Sequence, residues 1–133
     1  MRERVLLAVS AEAKPRLEAV LAGHELTHAE SFAAVRVALA KQTFDLIVVG
    51  THFEESSAFD VLRHIKESES QAHIACVRGV PFHAALGKPA MDAFRAACEA
   101  LGVNVVLDLF DYPDDEAGNR RARTLLEQQM HDA

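Results

Sequence analysis

The sequence predicts a doubly wound α/β domain, a parallel five-stranded sheet with helices on both faces. Three observations carry this. Short, charge-free runs of branched apolar residues recur along the chain, the form of strands covered on both faces. Between them lie segments with apolar residues at helical spacing. The alternation runs five times over 133 residues, a length that fits one domain, 1–133, with a real core.

The elements follow in order. Val5 to Val9 (VLLAV) is the first strand. AEAKPRLEAVLAG then reads as a helix with Pro15 in its first turn, Leu17, Val20 and Leu21 inward, and Gly23 ending it. His24 to Ala29 is a more polar strand, expected at a sheet edge. Ser31 is placed to cap the next helix, which carries Phe32, Val35 and Leu39 inward and ends at Lys41. Leu46 to Val49 (LIVV) is β-branched and charge-free, so it belongs at the sheet centre. After the polar loop THFEES, a helix presents Phe59, Leu62 and Ile65 on one face. Ile74 to Val77 is the fourth strand. The connection VPFHAALG leads to a helix opened by Lys88-Pro89, with Phe94, Ala97, Cys98 and Leu101 inward. Val103 to Leu109 is the fifth strand. Asp111, Pro113, Asp114, Asp115 and Glu116 open the last helix, where acids suit the positive end of the helix dipole. Leu125, Leu126 and Met130 lie along it.

Composition narrows the function. The formal net charge is −6, which argues against a nucleic-acid surface, since phosphate contacts need a basic patch. The run Val5 to Val9 is too short for a signal-peptide core or a membrane span. Cys76 and Cys98 have no metal-type spacing and form no disulfide framework. They read as buried free thiols of a cytoplasmic protein.

Doubly wound folds place their sites at the carboxyl ends of the strands. The candidate crevice is therefore Ser10 to Glu12, Gly50 to His52, Arg78-Gly79 and Asp108.

The segment FDLIVVGTHFEESSAFDVLRHIK resembles the third strand and following helix of the receiver domains of bacterial two-component response regulators. ALGVNVVLDLF resembles that family's fifth-strand region, and the resemblance extends over nearly the whole chain. It implies the flavodoxin-like fold with strand order 2-1-3-4-5. It also implies five functional positions. An acid pair after the first strand and an acceptor aspartate after the third hold Mg²⁺ through oxygen ligands. A Thr or Ser after the fourth strand and a Lys after the fifth contact the phosphoryl group. Here the acid pair falls on Val9-Ser10 or Ser10-Ala11, the acceptor on Gly50, the Thr/Ser on Arg78 and the Lys on Asp108. The aromatic switch position falls near Val105. None is retained, and Glu12 is the one carboxylate close to the first strand end. Glycine has no nucleophile, so the expectation is a degenerate receiver with neither cofactor nor bound metal. Its switch residues are missing, so one dominant conformation is expected. Arg78 and Asp108 end neighbouring strands in that order, so an ion pair between them is expected to replace the phosphoryl contacts.

Other chemistry has less support. His24, His28, His52, His64, His73, His83 and His131 read as scattered surface histidines. His24 and His28 lie on a predicted strand, where four residues span about 13 Å at a rise of ~3.3 Å per residue, too far apart for a shared metal. Ser10, Thr51 and His52 offer a nucleophile and a base but no oxyanion loop, and Ser10 serves equally as a cap for the first helix. No Gly-rich phosphate loop is present.

The expectation is therefore a stand-alone receiver-like module, not an enzyme, acting in signalling independently of phosphorylation. Output passes to another signalling protein or through self-association. The resemblance places that contact on the face of the fourth helix, fifth strand and fifth helix, where Arg120, Arg121 and Arg123 lie. The alternatives are a small-ligand sensor in the vacant strand-end pocket and a small enzyme.

Overall fold

The computed structural model describes residues 3–50, 58–68, 71–78 and 87–131. Five strands, β1 (Arg4–Ala8), β2 (Glu25–Ala29), β3 (Leu46–Gly50), β4 (His73–Arg78) and β5 (Val105–Asp108), form one sheet in the order β2-β1-β3-β4-β5. Every pairing is parallel. Five helices alternate with them: α1 (Lys14–Val20), α2 (Phe32–Lys41), α3 (Ala58–Glu67), α4 (Gly87–Ala100) and α5 (Glu116–His131). This is the predicted fold and strand order.

Side chains alternate across a strand, and the core divides accordingly. Leu6, Ala8, Ile47, Val49, Ile74 and Cys76 face one way and pack with Val35 of α2, Leu62 and Ile65 of α3, and Phe94 and Cys98 of α4. Val5, Leu7, Leu46, Val48, Ala75 and Val77 face the other way, onto Leu17 and Val20 of α1 and Ala122 and Leu126 of α5. All five residues of β3 are buried, which is why that segment reads as an unbroken apolar run. Burying a Leu or Ile fully is worth about 1.5–3 kcal/mol, so this strand and its covers dominate the core.

The ends of elements hold most of the differences from the sequence reading. Ser31 caps α2 as expected, its Oγ accepting from Ala34 N at 3.1 Å. Ser10 does not cap α1 through its side chain. The N-cap is Ala13, and it is the backbone carbonyl of Ser10 that accepts from Ala13 N and Lys14 N. β5 begins at Val105, not Val103, and ends at Asp108. Leu109–Asp111 then turn as a short 3-10 segment. Asp111 belongs to that segment, and α5 starts at Glu116. Asp115 accepts from Gly118 N at 2.8 Å, the one acid of the run that caps the helix with its side chain.

His24 overturns the surface reading for one histidine. It precedes β2 rather than lying on it, and it is 7% exposed. Its Nδ1 accepts from Glu3 N at 3.0 Å, so the proton sits on Nε2, which donates to Glu127 Oε2 at 2.7 Å. Arg123 completes the cluster, donating to Glu127 at 3.1 Å and to the Ala22 carbonyl at 2.6 Å. Burial pushes the Glu127 carboxyl up, but hydrogen bonds from His24 and Arg123 outweigh it and hold the carboxyl below its ordinary range. The cluster ties the start of β1 and the α1–β2 turn to α5.

Candidate functional site

The parallel register brings the strand ends together. Gly50 is laddered opposite Val77, and Arg78 opposite Asp108. Val9 and Ser10 leave β1 beside Gly50. Ser10, Gly50, Arg78 and Asp108 thus lie side by side along the carboxyl edge of the sheet.

Gly50 ends β3 in ordinary backbone, outside the left-handed region. Space, not conformation, makes glycine fit. A Cβ at this position would stand 3.3 Å from Val9 Cγ1 and 3.5 Å from Val9 Cα. Carbon atoms prefer about 3.5–4.0 Å. Val9 is fully buried, so it has little room to retreat. Val9 and Gly50 therefore pack as a unit, with the valine standing where a side chain at position 50 would emerge.

Arg78 and Asp108 fill the next part of the edge. Arg78 NH2 donates to Asp108 Oδ2 at 2.8 Å, with the side chains 17% and 11% exposed. Asp108 Oδ1 accepts from Phe110 N at 2.9 Å and so caps the 3-10 turn. The Arg78 guanidinium also lies 4.7 Å from the centre of the Phe110 ring, a cation–π distance. Both carboxylate oxygens of Asp108 are engaged, and the expected ion pair is present as a largely buried, charge-assisted contact.

Ser10 Oγ is buried, with no hydrogen-bond partner among the described residues. Glu12 is exposed on the turn before α1. Thr51 and His52, the remaining members of the nucleophile-and-base reading, lie outside the described residues, as do Gly79, His83 and the connection before α4. The site can be tested for the Mg²⁺ that its resemblance implies. That ion takes hard oxygens, usually one or two carboxylates with waters. Position 50 offers no carboxylate, Asp108 is committed to a guanidinium and a backbone N–H, and Arg78 puts positive charge beside them. Among the described residues, no group of three or more His, Cys, Asp or Glu is placed to hold a metal. The described residues do not fit the ion.

Two residues that support the site carried no signal in the sequence. Arg16 of α1 donates to the carbonyls of Leu109 at 2.7 Å, Tyr112 at 2.8 Å and Pro113 at 3.1 Å, and to Asn119 Oδ1 at 3.2 Å. One guanidinium thereby fixes the whole turn behind Asp108. His28 reaches from the edge strand to donate Nε2–H to the Val9 carbonyl at 3.0 Å. Both contacts are long-range, so periodicity cannot reveal them. No helix among the described residues is long and apolar enough to cross a membrane.

No protein-family model matches the chain, and no curated protein matches it in sequence. Solved structures do match in fold. The receiver domain of a sensor histidine kinase from Pseudomonas aeruginosa, with magnesium coordinated in its active-site cleft, superposes with a TM-score of 0.72 at 16% identity, covering 99% of this chain and 100% of that one. A CheY-like receiver domain from Methanospirillum hungatei gives 0.69 at 10% identity, over 98% and 94%. The response regulator TrrA from Thermotoga maritima, in complex with Mg²⁺ and beryllofluoride, gives 0.68 at 15% identity, over 97% and 99%. The chain is thus similar in fold to response-regulator receiver domains.

Proposed function

We propose that this chain is a receiver-like signalling module that does not accept a phosphoryl group and acts through protein contact. One observation carries the reading. At the end of β3, where the structurally similar domains would present an acceptor, a buried glycine is backed by Val9 at 3.3 Å from any added Cβ. The neighbouring Arg78–Asp108 pair supports it, since Arg78 NH2 already donates to Asp108 Oδ2 at 2.8 Å and Phe110 N occupies the other carboxylate oxygen. A phosphoryl group would meet a carboxylate where the family reading places a lysine. The strand-end machinery is then a fixed structural element, and Ser10, Glu12, Gly50, Arg78 and Asp108 mark a site that has lost its chemistry.

Output, in this reading, passes through the face built by α4, β5 and α5. Phe110, in the turn that follows β5, is half exposed, and Arg121 of α5 lies 5.2 Å from the ring of Tyr112. Exposed aromatic and arginine side chains are the residue types that anchor protein interfaces. The direct test is incubation with a small phosphoryl donor such as acetyl phosphate in Mg²⁺, read by intact mass. The expected result is an unmodified chain. A stable phosphoryl adduct mapped to the strand-end crevice overturns the reading.

A further inference from the structure

β2 is an edge of the sheet, and half of its backbone polar groups are spent on β1. Glu25 N donates to the Glu3 carbonyl at 2.8 Å, and Glu25, Thr27 and Ala29 lie opposite Arg4, Leu6 and Ala8. In a parallel ladder every second residue bonds to a given neighbour. Glu25, Thr27 and Ala29 therefore turn their N–H and C=O groups to β1, and Leu26 and His28 turn theirs to the open edge. Edge strands are commonly blocked by proline, lysine or a bulge. The strand ELTHA has neither proline nor lysine, and its five residues pair with β1 in unbroken register.

α2 flanks this edge on one face of the sheet. Ala34, Val37, Ala38 and Lys41 recur at helical spacing and, with Thr27 and Ala29 of β2, line an open groove along the edge. Val37 is 52% exposed, one of two large apolar side chains so exposed among the described residues, the other being Phe110. The two ends of the edge carry opposite charge. Glu30 follows the end of β2, exposed and 3.8 Å from His28 Nδ1. Lys41 is exposed at the end of α2. A crossover helix between parallel strands runs back against them, so Lys41 lies level with the start of β2.

We propose that β2 pairs antiparallel with β2 of a second copy of this chain, about a twofold axis at Thr27, joining two five-stranded sheets into one. In an antiparallel pair, residues that exchange both backbone bonds face each other. The axis at Thr27 sets Leu26 opposite the partner's His28, and His28 opposite the partner's Leu26. These are the residues whose groups face the edge, so the pairing forms new N–H···O=C bonds and costs none of those made to β1. A register one residue away would set Leu26 against the partner's Thr27, whose groups are already spent. The axis stands perpendicular to the sheet, so both copies of α2 lie on the same face and run antiparallel across the seam. Val37 then meets the partner's Val37, and the groove is filled. The same inversion brings the partner's Glu30 level with Lys41, so a carboxylate meets a cation at each end of the seam. That complementarity selects a second copy as the occupant and fixes its direction. β2 is at the opposite edge from β5, so this contact is separate from the output face proposed above.

The test is sedimentation equilibrium of the whole chain over a concentration series, with amide hydrogen exchange read residue by residue on the concentrated sample. The expected mass rises from 14.6 kDa toward twice that value. The amides of Leu26 and His28 should exchange slowly in the concentrated sample and fast on dilution. Val37→Lys sets like charges against each other at the seam and should abolish the dimer while leaving far-UV circular dichroism unchanged. Glu30→Lys and Lys41→Glu should each weaken association, and the two together should restore it, because each then meets the other's partner across the axis. Phe110→Ser should leave the dimer intact. A monomer at every concentration overturns the proposal. So does a wild-type dimer in which Leu26 and His28 exchange freely, a measurement that requires no variant to fold. A dimer lost in Phe110→Ser but kept in Val37→Lys also overturns it, assigning self-association to the α4, β5 and α5 face instead.

Discussion

Replacing Asp108 with alanine separates a fixed ion pair from a decorative one. The carboxylate has two duties, accepting from Arg78 at 2.8 Å and from Phe110 N at 2.9 Å. Surface pairs are worth about 0–1 kcal/mol. Removing one partner of a buried pair costs about 3–5 kcal/mol, because a desolvated charge is left behind. With side chains 17% and 11% exposed, this pair lies closer to the second regime. Residual solvent and the Phe110 ring beside Arg78 lower the cost, and loss of the cap adds about 1 kcal/mol. The net expectation for Asp108→Ala is about 3 kcal/mol, or a fall in Tm of about 10 °C for a chain of this size. The double variant Arg78→Met with Asp108→Leu should lie within about 1–2 kcal/mol of the wild type, since it removes both charges together and leaves the lost cap at Phe110 N as the main cost. The assay is urea unfolding followed by far-UV circular dichroism, as the chain has no tryptophan. A double-mutant cycle of Arg78→Met and Asp108→Leu should give a coupling of at least about 1.5 kcal/mol. A coupling below about 0.5 kcal/mol would refute the reasoning, because the two side chains would then be acting as separate surface charges.

Three further perturbations test other contacts. Gly50→Ala places a methyl 3.3 Å from Val9 Cγ1 and should cost about 1–2 kcal/mol in urea unfolding. A Val9→Ala background should absorb much of that cost, and equal costs in both backgrounds would disconnect the two residues. Gly118→Ala should destabilise by more than about 2 kcal/mol, despite the roughly 1 kcal/mol by which helices favour alanine. Its Cβ would collide with the backbone of Pro113, and a neutral or stabilising result contradicts that packing. Glu127→Gln probes pH dependence. The folded-state pKa of Glu127 is lowered, so its contribution is present above the ordinary carboxylate pKa, about 4.3, and is lost as pH falls through the lower folded value. The stability gap between wild type and Glu127→Gln should therefore be largest near neutrality and shrink below about pH 4. A gap that widens on acidification has the wrong sign for this account.

Strand order and core were legible because β3 and its neighbours are buried on both faces, which writes their positions as apolar runs. Leu17, Val35, Leu62 and Leu126 were legible for a related reason, since helical spacing marks an inward stripe. The Arg78–Asp108 contact followed once the strand order was assumed, because parallel neighbours end side by side. Local capping was harder. Ser10 has the right residue type for a cap, yet the turn at Ala11 to Ala13 uses its carbonyl and leaves its hydroxyl buried. The acids from Asp111 to Glu116 suit a helix start anywhere along the run, and only the Asp115 bond to Gly118 N fixes it. His24 could not be read at all from pattern. Its burial depends on Glu127, 103 residues away, a relation that no local window contains. The role of Gly50 was visible as a missing nucleophile, while its steric dependence on Val9 emerged only from the distance between them.

The most direct test of the central claim is an amide-resolved NMR titration of the chain with Mg²⁺ and then with beryllofluoride, a mimic of the phosphoryl group. The account predicts no saturable shifts at Ser10, Glu12, Gly50, Arg78 or Asp108, because the acceptor carboxylate is absent and Asp108 is held by Arg78. Saturable shifts at those amides that appear with beryllofluoride and depend on Mg²⁺ would contradict it, showing that the crevice still assembles a metal and phosphoryl site.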